Sequence, residues 1–231
     1  AGIRGMLPRW IVLVALCVPA GATDSDCLPC HKAQVESFRA SGMGRSLGVP
    51  TGHPEGSFVH NRSRVSIRQA GQTQVHAVEA GGATEQFPAA YYVGSGYAGH
   101  SYLVWVGDSL FQSPASFYSR SRQWRPSPVY ESDGVVEFSR PVTSDCLFCH
   151  SGRALPIPGT RNRYQKPAFG EQAIGCDRCH GDTSRHLTTP SRDTIVNPAR
   201  LPARERDSVC EQCHLSGEAV ALEPGMHFED F

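Results

Sequence analysis

The pentapeptide Cys-x-x-Cys-His occurs four times: CLPCH at Cys27–His31, CLFCH at Cys146–His150, CDRCH at Cys176–His180 and CEQCH at Cys210–His214. Thiols at i and i+3 lie on one side of a helical turn. From there they can form thioethers to the two vinyl groups of one haem, and the next histidine reaches the iron as its proximal ligand. Each motif therefore reads as a c-type haem attachment site. The thioether positions are Cys27 and Cys30, Cys146 and Cys149, Cys176 and Cys179, and Cys210 and Cys213; the proximal ligands are His31, His150, His180 and His214. The implied cofactor is four covalently bound haem c. Two other readings are weaker. A zinc ribbon uses paired Cys-x-x-Cys but does not require histidine after the second cysteine, and all four pairs here have one. A thioredoxin-like centre needs one pair in a βαβ setting. The ninth cysteine is Cys17, near the N-terminus, so none is left for a structural disulfide.

Four rigid apolar plates change what the chain itself must supply. Its 231 residues include 23 Gly and 17 Pro, above the usual share for a globular domain. The expected fold class is a multihaem cytochrome c of low regular secondary structure, with short helices at the CxxCH motifs plus an antiparallel β-hairpin lobe over about 55–140. Helices are expected over about 27–40, with Val35 and Phe38 facing the first haem, and over about 206–215. Asp24 to Asp26, Ser144 or Asp145, and Asp207 or Ser208 are the candidate N-caps. RVSIRQ at 64–69 and QVHAVE at 74–79 alternate around a turn, and SYLVWV at 101–106 is followed by Gly107-Asp108; these are hairpin signals. The first motif stands apart, with 114 residues between His31 and Cys146, and the next three follow at steps of 30 and 34. Residues 153–166 and 188–202 show no period and read as loops that wrap haems. The domain reading is a signal peptide at 1–22, then a tetrahaem domain over 23–231. That domain holds the β-rich insert 55–140 and a three-haem part, 141–231.

The N-terminus reads as a secretory signal. Arg4 and Arg9 precede the apolar run WIVLVALCV, and Ala20-Gly21-Ala22 offers a cleavage site. The run is shorter than the roughly 20 residues that span a bilayer. An uncleaved anchor, or lipid attachment at Cys17, is the alternative, although Leu16 stands where a lipobox needs a small residue. Membrane association is expected only if this segment is retained. Export to the periplasm or beyond suits the chemistry, because c-type haem is attached outside the cytoplasm. The chain begins at Ala1 and ends EPGMHFEDF, which reads as part of a longer gene product. Removing 1–22 leaves 20 basic against 22 acidic residues. A chain so balanced lacks the basic surface that nucleic acid requires, so no DNA or RNA partner is expected. Only Lys32 and Lys166 are lysines. Arginine matches carboxylates with two parallel hydrogen bonds, so some arginines are expected on haem propionates.

Each iron has a second axial position. Histidine there gives a six-coordinate carrier, methionine raises the potential, and an open position admits substrate. His186 is the first candidate, because it follows the third motif in a polar loop. Six residues beyond His180 reach at most about 21 Å, too little to pass comfortably around its own porphyrin, so a neighbouring haem is the expected target. His60, His100 and His76 follow, then Met43 beside two glycines. His53 and His227 rank lower. For each, the plain alternative is a packed or solvated side chain.

The connecting segments carry a resemblance. SGMGRS at 41–46, YYVGSG at 91–96 with SYL at 101–103, IGCDRCHG at 174–181 with His186, IVNPARL at 195–201 and CEQCHLSGE at 210–218 resemble the multihaem c-type cytochromes with doubled CxxCH motifs. More closely, they are similar to exported bacterial modules that precede tetratricopeptide repeats. The resemblance implies electron transfer and histidine as the usual distal ligand. It points to His60 and His186 in particular, adds weight to Met43, and implies that helical repeats can follow. His100 departs from it, since an Arg is expected nearby.

The expected role is electron carriage between redox partner proteins through closely packed haems. The alternative is an oxidoreductase with one open haem acting on a small nitrogen or sulfur oxyanion, with Tyr91, Tyr92 and Arg153 as distal groups. A third reading has haems wiring a larger assembly or filament.

Overall fold

The computed structural model describes residues 22–132 and 136–214. The expected signal peptide, 1–22, lies outside them except for its last residue, as do Cys17 and His227. The helices are α1 (Asp24–Arg39), α2 (Ser144–His150), α3 (Asp177–His180), α4 (Ser184–Thr188) and α5 (Ala203–His214). The strands are β1 (Leu47–Gly48), β2 (Gly56–His60), β3 (Ser63–Ala70), β4 (Thr73–Ala80), β5 (Ala83–Val93), β6 (Gly99–Val106), β7 (Ser109–Tyr118), β8 (Gln123–Pro126), β9 (Arg153–Pro156) and β10 (Tyr164–Glu171).

Strands β2 to β8 form one antiparallel meander in sequence order, and β1 joins the far half of β5. Gly107 takes a positive φ of 65° in the two-residue turn between β6 and β7, the backbone that such a hairpin needs. The lobe is more regular than expected, because its strands bury a core of their own without help from haem. That inner core contains Val65, Ile67, Val78, Tyr102, Val104 and Trp124. The two ends of the meander curl together: the Trp124 indole on β8 lies so close to Gly56 on β2 that a Cβ there would collide with it.

Strand β5 shows little signal in the sequence, because its first half is polar and it contains Pro88. Pro88 pairs with Val75 at the end of the β4 ladder, and beyond it β1 takes over the same edge at Tyr92 and Val93. A register shift between Ala89 and Tyr91 inserts an extra residue and changes which face the strand presents. Ala89 and Tyr92 therefore pack with the inner core, while Tyr91 joins an outer cluster.

The outer cluster holds the haem-motif region on the lobe. Tyr91, Leu103 and Leu110 pack with Leu147 of α2 and with Tyr164 and Phe169 of β10. The Tyr164 hydroxyl donates to the Val142 carbonyl at 3.0 Å. Residues 153–166 are not the expected haem-wrapping loop: they include β9 and the start of β10, which pair as a second, two-stranded sheet. Prolines and register irregularities in this pair hide its alternation. Residues 188–202 contain only a short 3-10 turn at Pro198–Arg200. The N-caps also differ by position. Thr23 precedes α1 and Thr143 precedes α2, while Asp207 and Ser208 lie inside α5. Asp26 serves from the third helical position, accepting the Thr23 N–H at 2.7 Å and hydroxyl at 2.9 Å.

Polar groups inside the lobe are matched. His76 is fully buried, with Nδ1 2.7 Å from Ser113 Oγ and Nε2 3.0 Å from Gln74 Oε1. Gln74 Nε2 donates to the Pro54 carbonyl, which fixes the amide so that its oxygen accepts from His76. The ring is therefore neutral, with its proton on Nε2. Burial holds its pKa down to about 3, below the unfolded value of about 6.5. The unfolded chain thus takes up the proton first. This contribution to stability is complete above about pH 6.5 and is lost as pH falls toward the folded value. Denaturant titrations should show a midpoint that drops between pH 7 and 4. His76→Leu should flatten that dependence and cost about 1–3 kcal/mol at pH 7, by leaving Ser113 and Gln74 unpaired.

Candidate functional site

Each CxxCH motif is carried on a helix. In α1 the backbone leaves helical values at His31 (φ −122°, ψ 39°), two residues after Pro29, and then resumes toward Val35 and Phe38. The second motif lies on α2, pinned by Leu147 at 2% exposure. The third begins at Cys176, just before α3, and the fourth ends α5.

The motifs meet in an order that differs from the sequence. Cys27 and Cys176 are within hydrogen-bonding reach, which joins motifs one and three. Cys179 lies beside Cys210 and Cys213, joining three and four. The Cys213 thiol in turn is within hydrogen-bonding reach of the Cys149 thiol, joining four and two. Two polar links fasten this line. Asp24 Oδ1 accepts the Cys176 N–H at 3.0 Å. Arg178 Nη2 donates to the Phe148 carbonyl at 2.7 Å while its guanidinium stacks 4.2 Å over the Phe148 ring, and Gln212 donates back to the Arg178 carbonyl at 2.9 Å.

Two large cavities flank the line. The first, about 1050 Å³, is bordered by Cys27, Cys30, His31, Cys176, Cys179 and His180. The second, about 1100 Å³, lies between α2 and the β6–β7 face and is bordered by Cys146, Cys149 and His150. Both exceed the roughly 300–1,000 Å³ of ordinary small-molecule pockets. In the first cavity the His31 and His186 ring centres are 6.2 Å apart. Two imidazoles sharing one iron need about 2 Å per metal–nitrogen bond plus about 1 Å from nitrogen to ring centre, so roughly 6 Å in all.

The supporting contacts also fit ligation. His186 Nδ1 lies 3.1 Å from the Ser191 carbonyl, and His180 Nδ1 lies 2.7 Å from the Val196 carbonyl. Both rings therefore donate through Nδ1, which leaves Nε2 to face a metal, as in histidines whose other ring nitrogen is held by a backbone carbonyl. At the first three motifs the residues present fit haem, with paired thiols and a histidine on the wall of a wide cavity; Cys210, Cys213 and His214 border neither cavity. Among the described residues no group of three or more His, Cys, Asp or Glu side chains is set to hold a bare ion, as a zinc ribbon would need. Burial pushes the Cys27, Cys176 and Cys179 thiols up, opposite to the shift that activates a redox thiol.

The other candidates fall elsewhere. His100 borders the second cavity, but its ring packs against His53 and Tyr92 on the lobe side, with Nδ1 3.1 Å from the Gly94 carbonyl. His53 bonds the Tyr102 hydroxyl at 2.7 Å, and its pKa is lowered to about 4, first by burial and then by His100. His76 is inside the lobe. His60 ends β2 beside Asn61, and Met43 is 44% exposed; neither borders either of these two cavities. His214 is exposed at the end of α5. Tyr91, Tyr92 and Arg153 line neither cavity. Asp24, which the sequence offered only as a candidate N-cap, and Arg178, which it did not single out, organise the line through partners that lie far away in the chain.

No family model matches the chain, and no curated protein is significantly similar to it in sequence. Its fold resembles that of the outer cell wall cytochrome OcwA, with 18% identity and a TM-score of 0.52, over 84% of this chain and 37% of that one. An undecahaem cytochrome from the S-layer of Carboxydothermus ferrireducens aligns at 16% identity and a TM-score of 0.46, over 86% of this chain and 26% of that one. The chain thus spans well under half of either structure. No helix among the described residues is long and apolar enough to cross a membrane.

Asp24 is 5% exposed and also faces Arg39 Nε at 3.8 Å. Asp24→Ala should leave the Cys176 amide without its acceptor and cost about 1–3 kcal/mol. Hydrogen exchange followed by mass spectrometry should show lost protection at α3 and the start of α1, with the β lobe unchanged.

Proposed function

We propose that the chain is an exported tetrahaem c-type cytochrome that carries electrons between redox partner proteins. The observation that carries this reading is the line of motifs. Four attachment sites, one of them separated from the rest by the whole β lobe, come together as one–three–four–two. A carrier needs such continuity, because electrons pass efficiently only between haems held close together. Bound haem would supply one-electron exchange at iron. The chain supplies the thioether positions, the axial histidines, a fixed spacing and a partly water-free surround.

His186 is proposed as the distal ligand of the haem attached at Cys27 and Cys30, opposite His31. The 6.2 Å gap and the Nδ1 contact to Ser191 support this assignment. Export is supported by the chemistry of haem attachment and by the likeness in fold to an outer cell wall cytochrome.

Intact mass should give four haems per chain, each lost on replacing the two cysteines of its motif by alanine. Fewer than four would overturn the tetrahaem reading. The ferrous wild-type protein should bind little carbon monoxide, whereas His186→Ala should open one iron and bind about one equivalent. Strong binding by the wild type would instead favour an open-haem oxidoreductase.

A further inference from the structure

The line of motifs is not electrostatically even. Four carboxylates gather where motifs one and three meet: Asp24, Asp26, Glu171 and Asp177. Glu171 accepts the Asp24 N–H at 3.4 Å. Burial pushes the Glu171 and Asp177 carboxyls up, and Asp24 adds to both shifts. Arg39 and Arg153 offset part of this negative charge, and Arg178 also acts on Asp177. The junction of motifs three, four and two is different, because a guanidinium is wedged into it. Arg178 comes from inside the third motif, rests on Phe148 of the second and lies 4.0 Å from Cys213 of the fourth. Its Nε is buried and has no hydrogen-bond partner. Among the described residues it forms no direct ion pair, although the adjacent Asp177 carboxylate feels its charge. The position is therefore costly for a group whose only task is to join helices, since neutral side chains could stack and hydrogen-bond there.

We infer that Arg178 is a positioning residue that sets potentials: it locks the third motif against the second and fourth, and draws electrons toward the haems attached there. The inference rests on the tetrahaem reading. Reduction adds one negative charge at an iron and breaks no bond. A fixed cation near bound haem would stabilise the reduced state, and a low-dielectric surround would strengthen that effect. The carboxylates at the other junction act in the opposite sense on the haem above His31. An electron entering at the first motif would run downhill toward the second and fourth.

The test is a haem-resolved reductive titration, with signals assigned by paramagnetic NMR, on the full chain with its haem content checked by mass. In the wild type the haem at His31 should have the lowest potential of the four. Arg178→Gln should weaken reduction of the haems at His150 and His214 about tenfold, a one-electron shift of about 59 mV, and move the His31 haem much less. Arg178→Lys, which keeps the charge but not the planar stack, should restore most of that shift. Equal shifts at all four haems, or none, would overturn the inference, as would a wild-type His31 haem that is not the lowest. The wild-type titration and the lysine variant decide the matter if the glutamine variant fails to assemble. A wild-type mass below four haems would sink the tetrahaem reading and this inference together. Four haems with unmoved potentials would sink this inference alone.

Discussion

A single buried carboxylate joins parts of the chain that are 152 residues apart. Asp24 accepts the backbone N–H of Cys176, and through that bond the first motif reaches the third across the entire β lobe. A carboxylate at 5% exposure is stable only with partners, and it has them in the Cys176 amide and Arg39. Without this link the first motif would be held to the third, among the described residues, only by the Glu171 carboxylate on the Asp24 N–H, the Ser46 hydroxyl on the Ile174 N–H and the approach of Cys27 to Cys176. The arrangement of the cavities follows from the Asp24 bond, because the first cavity has one wall from α1 and another from the third motif and the loop behind it.

The β lobe supplies the other constraint. Its sheet has two apolar faces, and the extra residue at Ala90 lets β5 serve both. The inner face builds a core that needs no haem, with a matched polar chain through Gln74, His76 and Ser113. The outer face receives Leu147 and so fixes α2 at the mouth of the second cavity. Folding of the lobe is in this sense prior to the assembly of the sites that it carries.

The sequence made the CxxCH motifs legible as candidate attachment positions because their chemistry is local: two thiols and a histidine within five residues need no tertiary context. The hairpins around residues 71 and 107 were legible for the same reason. What distant contacts decide was not. Strand β5 looked polar, β9 and β10 hid behind prolines, and the pairing of His186 with the first motif depends on a fold that brings residues 31 and 186 together. His76 shows the limit from the other side. Its alternation with valines placed it on a strand, but only the closed lobe shows that both of its nitrogens are already engaged.

The order one–three–four–two also has a geometric meaning for any longer protein built on this unit. The fourth motif is last in sequence but interior in space, flanked by the third and the second. A further attachment site placed soon after His214 would therefore join the line at its side. Because the third motif also touches the second directly, through Arg178 and Phe148, a chain extended in this direction grows from a cluster of three motifs and not from the end of a line.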